Sequence, residues 1–175
     1  MLRGAEVVLV SGPTTLPTPE GVRRLPVVSA VEMYEAVLAE AAAADVVIKV
    51  AAVADYRPAE VFADKVKKDQ IDLSLKLCAN PDILLELGRR KRPGQILVGF
   101  AAETRDLEAA GRKKLAAKNL DLIAVNNVRA DNTGFAADTN QLLLLSANGG
   151  SELLPLTSKS TAAAMLLDRV VALLQ

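Results

Sequence analysis

The sequence predicts an α/β fold, and the arrangement of its apolar residues carries that prediction. Continuous apolar runs, strongest at Val46–Val53, Ile96–Phe100 and Leu122–Val125, alternate with segments of helical periodicity. Strands that are apolar on both sides are typical of parallel sheets whose two faces are covered by helices. The expected fold class is therefore Rossmann-like: a doubly wound, mostly parallel sheet with helices on both faces, plus a C-terminal β-hairpin.

Composition limits the chain to one globular domain and argues against several kinds of function. The 175 residues are 51% hydrophobic and 24% charged, which suffices for a core. Twenty-one basic residues balance 21 acidic ones, which argues against binding nucleic acid or a membrane surface by bulk charge. One Cys and no His exclude a disulfide framework, a Cys/His zinc site and an imidazole base. No apolar run approaches ~18 residues and no signal peptide is recognisable, so we expect a cytoplasmic protein.

The first part of the chain is expected to form two strands and a capped helix. The β-branched run Glu6–Val10 predicts a buried strand, and a short extended segment follows near Arg24–Val28. Ser29 and Glu32 have the spacing of a capping box. The helical periodicity after them predicts a helix over residues 30–44.

Around residue 80 the pattern predicts a half-exposed strand followed by a helix. Leu73, Leu75 and Leu77 alternate with polar residues, as in a strand with one face in solvent. Asn80 suits an N-cap and Pro81 suits the first helical position, so a helix is expected to open here.

The last part of the chain predicts a helix, a hairpin and a closing helix. An Asn-Gly turn between two Leu-rich runs is typical of a β-hairpin. The elements expected are a helix from Thr104 to about Asn119, a hairpin of Gln141–Ser146 and Glu152–Leu156 around Asn148–Gly150, and an amphipathic helix Ser158–Gln175 with Leu166, Val170 and Leu174 on one face.

Candidate site residues follow the predicted strands, because ligands bind at the carboxyl ends of strands in parallel sheets. Asp55 follows the first strong run, where it either forms a turn or serves a ligand or metal. Phe100 is either a core residue or placed to contact a base. The segment Asn80–Ile83 either caps a helix or offers a helix N-terminus to an anion. Cys78 is interpreted as a small apolar filler.

Two groups of lysines offer positive charge for a phosphate. Lys65, Lys67 and Lys68 form a cluster that is either a solvated loop or an anion clamp. Lys114 and Lys118 are four residues apart on one predicted helix, where like charges repel unless an anion binds them. The usual glycine-rich dinucleotide and P-loop signatures are absent. The residues alone therefore indicate an α/β domain that binds a nucleotide or a phosphate, and argue against a generic NAD-dependent enzyme.

Five motifs occur in an order that resembles a known family. The chain is similar to phosphopantothenate–cysteine ligase, which in most bacteria is the C-terminal half of the bifunctional coenzyme A biosynthesis protein CoaBC, also called Dfp. The resemblance covers essentially all 175 residues. The motifs are Ala51–Pro58, Lys65–Lys68, Asn80–Ile83, Gly99–Thr104 and Lys114–Ile123.

The resemblance implies CTP-dependent amide formation. In the family, the carboxylate of 4'-phosphopantothenate attacks the α-phosphate of CTP, and cysteine then attacks the acyl-cytidylate to give phosphopantothenoylcysteine. Mg²⁺ accompanies the nucleotide, and no FMN is expected in this half. The implied partners are CTP, 4'-phosphopantothenate, cysteine, a second copy in a homodimer, and the N-terminal decarboxylase half of the full-length protein.

The resemblance also assigns residues to the CTP site. Lys65 is expected to be the catalytic cation that stabilises charge on the phosphate or on the acyl-cytidylate. Metal ligands are not identified. The nucleotide-binding residues implied are Ala51, Asp55, Lys65, Pro81, Asp82, Ile83, Leu84, Phe100, Lys114 and Lys118.

The start of the chain departs from the family pattern. The family's first strand, its glycine-containing loop and the segment with the intermediate-binding asparagine are missing, so residues 1–175 are expected to be one N-terminally truncated CTP-binding domain. The alternative is a catalytically incompetent nucleotide-binding and dimerisation module. The truncated chain is then expected to be poorly stable, or to pair the strand Glu6–Val10 with Val46–Val53 or with another chain. The Leu-rich hairpin within residues 139–156 is expected to contact a second copy.

Overall fold

The computed structural model describes residues 3–62, 64, 74–127 and 138–174. The chain divides into two compact units. Unit 1 comprises Met1–Glu40 and Ala52–Asp82, and unit 2 comprises Ala41–Ala51 and Ile83–Gln175. Among the residues described, no helix is both long and apolar enough to cross a membrane.

The elements follow one another in an α/β order. They are β1 (Val7–Ser11), β2 (Val22–Pro26), α1 (Ala30–Ala41), β3 (Val46–Lys49), β4 (Tyr56–Pro58), β5 (Leu77–Ala79), α2 (Ile83–Arg90), β6 (Ile96–Glu103), α3 (Leu107–Ala117), β7 (Leu122–Asn127), β8 (Thr139–Asn140), β9 (Leu142–Ser146), β10 (Ser151–Leu153), β11 (Thr157–Ser158) and α4 (Lys159–Leu173).

Unit 1 contains two small sheets and most of α1. β1 and β2 pair in parallel, and β4 and β5 pair antiparallel. The predicted capping box opens α1: the Glu32 amide donates to Ser29 Oγ at 3.1 Å, and the Val28 amide donates to Glu32 Oε2 at 2.9 Å. Of the described residues of this unit, Val27 is the one apolar side chain that is buried.

Unit 2 is built on a five-stranded sheet in the order β10-β9-β7-β6-β3. β3, β6 and β7 are parallel, whereas β9 runs antiparallel to β7 and forms a hairpin with β10. The predicted mixed sheet is thus confirmed, with the hairpin continuing the parallel part.

Helices cover both faces of this sheet, as the sequence predicts. On one face, Leu166 and Val170 of α4 join Val98, Ala124 and Leu144 in a buried cluster. On the other face, α3 lies so close that a Cβ added to Gly111 would stand 2.7 Å from Val125 Cγ2 and 2.6 Å from Leu145 Cδ1. Such packing on both faces explains why the runs in β6 and β7 are continuously apolar.

The run Val46–Val53, predicted as the strongest buried strand, is instead a short strand at the edge of the sheet. β3 ends at Lys49 and none of its residues is fully buried. Because it has a described neighbour on one side only, β6, the local pattern overstated its burial. The expected pairing of Glu6–Val10 with this run is also not found in the described residues, since β1 pairs with β2.

The helix α1 ends at Ala41, three residues before the predicted end, because side chains take its carbonyl groups. The buried side-chain amide of Gln95 donates to Ala41 O at 2.8 Å and to Ala44 O at 2.7 Å. Arg92 Nη2 donates to Ala44 O at 2.9 Å. These bonds satisfy carbonyls at the helix end, which otherwise lack intrahelical partners.

The hairpin turn between β9 and β10 is closed by its own polar groups. Ser146 N donates to Gly150 O at 3.0 Å, and Gly149 N donates to Ser146 O at 3.1 Å. Ser146 Oγ donates to Asn148 Oδ1 at 2.6 Å. Gly149 has φ +96°, a conformation that glycine adopts without strain.

One strand of the hairpin, β9, is buried within unit 2. Leu142, Leu144 and Leu145 are buried, the first two in the cluster with α4 and the third against α3, whereas Leu153 and Leu156 are exposed. The expected contact of the hairpin with a second copy stays a prediction.

Helix termini differ from prediction at two points. Thr104 does not cap α3; the N-cap is Asp106, with φ 47° and no side-chain capping bond. Ser158 does cap α4, since its Oγ accepts from Thr161 N. Leu174, predicted on the apolar face with Leu166, lies past the helix end and is exposed.

Candidate functional site

The carboxyl half of β6 carries most of the motif Gly99–Thr104 that the sequence singled out. Gly99 lies against α2, since a Cβ there would stand 2.9 Å from Leu84 Cδ2. Successive side chains of a strand point to opposite faces, so Glu103 lies on the same face as Gly99 and Phe100 on the other. Phe100 is half-buried against the cluster that contains Leu166. This packing favours the core interpretation of Phe100.

Lys114 is held by the last residue of β6. Its Nζ lies 2.6 Å from Glu103 Oε1. The Glu103 side chain is 20% exposed and that of Lys114 is 46% exposed, so the cation reaches solvent while its counter-ion is largely covered. The positive charge of Lys114 is thereby tied to the carboxyl end of β6.

Lys118 lies where α3 ends and packs on α2. Its amide donates to Lys114 O at 3.1 Å, so both lysines share the last turn of the helix. Asn119 Nδ2 donates to Gly88 O at 3.0 Å. A Cβ on Gly88 would stand 2.0 Å from Lys118 O, which shows how closely α2 approaches this turn. The backbone of Lys118 is therefore fixed by α2.

Ile83 and Leu84 open α2 with their side chains buried in the core of unit 2. Any ligand at this helix start would meet backbone groups rather than these two side chains. Ala51, also in unit 2, is exposed, and its carbonyl accepts from Lys49 Nζ at 2.8 Å. Lys49 was not singled out from the sequence, because it lies inside an apolar run.

Asp55, Pro81 and Asp82 belong to unit 1. Asp55 and Asp82 are exposed and Pro81 is half-buried. The Asp55 carbonyl accepts from Asn80 N at 2.8 Å. The carboxylate of Asp55 thus stands beside a hydrogen-bonded connection between two segments of this unit.

Asn80 stabilises this connection instead of capping a helix. Its Nδ2 donates to Ala54 O at 2.9 Å, and its Oδ1 accepts from Arg57 Nη1 at 3.1 Å. α2 begins at Ile83, two residues after the predicted first position at Pro81. The capping prediction for Asn80 is therefore wrong, because its side chain is engaged within unit 1.

The lysine cluster Lys65, Lys67 and Lys68 lies outside the described residues, so its two interpretations stay open. The predicted strand at Leu73–Leu77 is described only from residue 74, and there β5 begins at Leu77. Among the residues that the structure describes, no three His, Cys, Asp or Glu side chains come together as a metal site.

The amino end of β6 carries a shallow cavity of about 440 Å³ whose lining includes Lys91, Arg92 and Asp121. Lys91 Nζ contacts Asp121 Oδ1 at 2.6 Å, and Asp121 Oδ2 accepts from Leu97 N at 2.7 Å. These charges neutralise each other and bind the backbone. The geometry therefore indicates a structural role for Lys91 and Asp121.

In parallel α/β sheets ligands bind outside the carboxyl ends of the strands, and Lys114 stands at that end of β6. The family model for the DNA/pantothenate metabolism flavoprotein C-terminal domain matches residues 1–174. The chain belongs to this family, which confirms both the resemblance and the predicted fold class.

Relatives and a solved structure agree with that assignment. The coenzyme A biosynthesis bifunctional protein CoaBC of Bacillus subtilis strain 168 is 50% identical over 171 residues, which cover 97% of this chain and 42% of that protein. CoaBC of Escherichia coli strain K12 is 44% identical over 172 residues, with coverages of 97% and 42%. A crystal structure of the CoaBC C-terminal domain has a TM-score of 0.82 at 40% identity and covers 99% of this chain and 78% of that one. The chain thus spans about two fifths of the length of these curated relatives.

Proposed function

We propose that this chain is a phosphopantothenate–cysteine ligase domain that acts with CTP in coenzyme A biosynthesis. The observation that carries the proposal is Lys114, which Glu103 holds at the carboxyl end of β6, in a chain that is 50% identical over 171 residues to a coenzyme A biosynthesis protein. A cation held at this edge suits a triphosphate, which carries several negative charges.

The reaction proceeds in two displacements that need no imidazole base. The carboxylate of 4'-phosphopantothenate forms a bond to the α-phosphorus of CTP, the α–β phosphoanhydride bond breaks, and pyrophosphate leaves. The amine of cysteine then attacks the acyl-cytidylate carbonyl, loses a proton, and expels CMP. Both steps depend on positioning and on charge stabilisation.

The chain's residues supply binding and charge in this scheme. Lys114 and Lys118 bind the phosphates, Lys65 stabilises the charge that develops during transfer, and Ala51 meets the nucleotide through its backbone. Asp55, Pro81 and Asp82, with Ile83, Leu84 and Phe100, complete the set assigned to CTP. Magnesium enters as the Mg²⁺–CTP complex, held by the phosphates of the substrate.

Calorimetry with Mg²⁺–CTP, followed by a pyrophosphate-release assay with phosphopantothenate and cysteine, tests the proposal. Binding with release supports the ligase. Binding without release favours the nucleotide-binding module, and no binding of CTP contradicts both. Parallel titration with ATP tests the preference for CTP.

The role of Lys65 is tested in the full-length protein. Lys65→Gln is expected to reduce turnover far more than CTP affinity, because charge in the transition state exceeds that in the ground state. Equal losses of turnover and of CTP affinity would make Lys65 a binding residue, and normal turnover would favour the interpretation as a solvated loop.

Sedimentation at tens of micromolar tests the proposed homodimer, which a monomeric mass would exclude.

A further inference from the structure

Glu103 places a largely buried carboxylate against an exposed lysine. Its Oε1 atom is inaccessible to solvent in the described structure. The ammonium of Lys114 stands 2.6 Å from this oxygen and is its counter-ion. Removal of this cation would leave a buried carboxylate oxygen without compensation, which is costly.

The backbone of Lys114 is fixed by packing, but its side chain is not. α3 is held against the sheet at Gly111, where a Cβ would stand 2.6 Å from Leu145 Cδ1. The lysine side chain has four rotatable bonds and is 46% exposed. The contact with Glu103 is therefore what determines where the ammonium stands.

We propose that Glu103 is the positioning residue that holds Lys114 in place for a nucleotide phosphate, a role that rests on the proposed function. An ammonium has three N–H donors, so Lys114 can keep one on Glu103 and direct the others to phosphate oxygens. Glu103 holds Lys114 and does not compete with the phosphate for it, because a Lys114 that moved away would leave the buried Oε1 atom of Glu103 without a counter-ion.

A double-mutant cycle tests this role in the full chain. The variants are Glu103→Gln, Lys114→Gln and the double variant, and the measurement is Mg²⁺–CTP affinity by calorimetry. Lys114→Gln is expected to weaken affinity by about tenfold and Glu103→Gln by about fivefold, as for charge-assisted contacts. In the Lys114→Gln background, Glu103→Gln is expected to add almost nothing.

Matched controls separate this role from a general loss of structure or charge. Glu108→Gln removes a carboxylate of α3 that contacts Arg112 at 3.2 Å, and Lys113→Gln removes the neighbouring exposed lysine; both are expected to keep wild-type affinity. Unfolding temperatures are measured for all variants. The proposal would be overturned if Glu103→Gln left the affinity for Mg²⁺–CTP unchanged or raised it. It would also be overturned if Glu103→Gln weakened that affinity as much in the Lys114→Gln background as in the wild type.

An experiment without nucleotide distinguishes failure of this role from failure of the proposed function. The Lys114 ammonium signal is followed by ¹⁵N-resolved NMR at low temperature. A shift and faster proton exchange in Glu103→Gln are expected, and an unchanged signal would overturn the anchoring role. A wild-type chain that binds no CTP would overturn the proposed function, while this signal would still show whether Glu103 holds Lys114.

Discussion

Asp121, just before β7, binds β6 and the residue that follows α2. Its two carboxylate oxygens take Lys91 Nζ at 2.6 Å and Leu97 N at 2.7 Å, and its own amide donates to Leu97 O at 3.0 Å. The Lys91 side chain is only 15% exposed. A charge covered to this extent is costly to leave without its partner.

We expect Asp121→Asn to lower the free energy of unfolding by about 2 kcal/mol, because it leaves Lys91 covered and without its counter-ion. Urea denaturation measures this loss. Asp138→Asn, at an exposed position, is the control and is expected to change stability little. A loss no larger than that of the control would show that Lys91 finds other solvation.

At the scale of elements, α2 and the end of α3 approach each other so closely at Gly88 that there is no room for a side chain. A Cβ on Gly88 would stand 2.0 Å from Lys118 O and 2.8 Å from Lys118 C, both backbone atoms that cannot move alone. The gain in helix propensity from alanine is at most ~1 kcal/mol. The clash outweighs it.

Gly88→Ala is therefore expected to destabilise the chain by about 2 kcal/mol, measured by chemical denaturation. Gly12→Ala provides the control, because a Cβ there meets no atom within 4 Å. Since the Lys118 turn would have to shift, CTP affinity is expected to fall in the same variant. A stabilised Gly88→Ala would contradict the close approach of the two helices.

The hairpin and the last helix are joined by a bidentate ion pair. Arg169 Nε donates to Glu152 Oε2 at 2.8 Å, and Arg169 Nη2 donates to Glu152 Oε1 at 2.6 Å. These hydrogen bonds from Arg169 hold the pKa of Glu152 below its ordinary value of 4.5. Because the folded pKa is the lower one, the pair stabilises the fold above pH 4.5 and loses this effect as the pH falls through the folded pKa.

Glu152→Gln is expected to lower the melting temperature at neutral pH, and the difference from wild type is expected to shrink below pH 4.5. Thermal melts at several pH values measure this. Glu35→Gln, exposed on α1, is the control. A constant difference at every pH would indicate lost packing rather than a lost charge interaction.

The elements were largely predictable from the sequence, but their neighbours were not. Apolar periodicity located β6, β7 and the hairpin, because burial on two faces leaves a local pattern. It could not show that Val46–Lys49 lies at an edge, since strand order depends on distant residues. It also could not show that Gln95 ends α1, because that contact joins residues 54 apart in sequence. In the site, the lysines of α3 were found by their spacing, whereas their contact with Glu103 required the fold.

At the scale of the whole molecule, the two units differ in how they are stabilised. Unit 2 buries apolar side chains on both faces of its sheet, and Val98, Ala124 and Leu145 are inaccessible to solvent. The described part of unit 1 buries Val27 alone among its apolar side chains. Segments with few buried apolar contacts unfold locally at a lower free energy, so local unfolding is expected to require less free energy in unit 1 than in unit 2.

Hydrogen exchange followed by mass spectrometry is expected to show slow exchange in β6, β7 and β9 and faster exchange in β1, β2, β4 and β5. Addition of Mg²⁺–CTP is expected to slow exchange at the end of α3, where Lys114 and Lys118 lie. Uniform protection of both units would contradict the difference in burial.

The hairpin turn has a consequence for the chemical ageing of the protein. Asn-Gly pairs deamidate when the backbone nitrogen of the glycine attacks the side-chain carbonyl of the asparagine. Here Gly149 N is bound to Ser146 O at 3.1 Å, and Asn148 Oδ1 accepts from Ser146 Oγ at 2.6 Å and from Gly150 N at 3.2 Å. Both reacting groups are thus engaged elsewhere, so the folded chain is expected to keep Asn148 during prolonged storage. Peptide mapping would show the same residue converting to aspartate much faster once urea has opened the turn, and Ser146→Ala would accelerate its loss without denaturant.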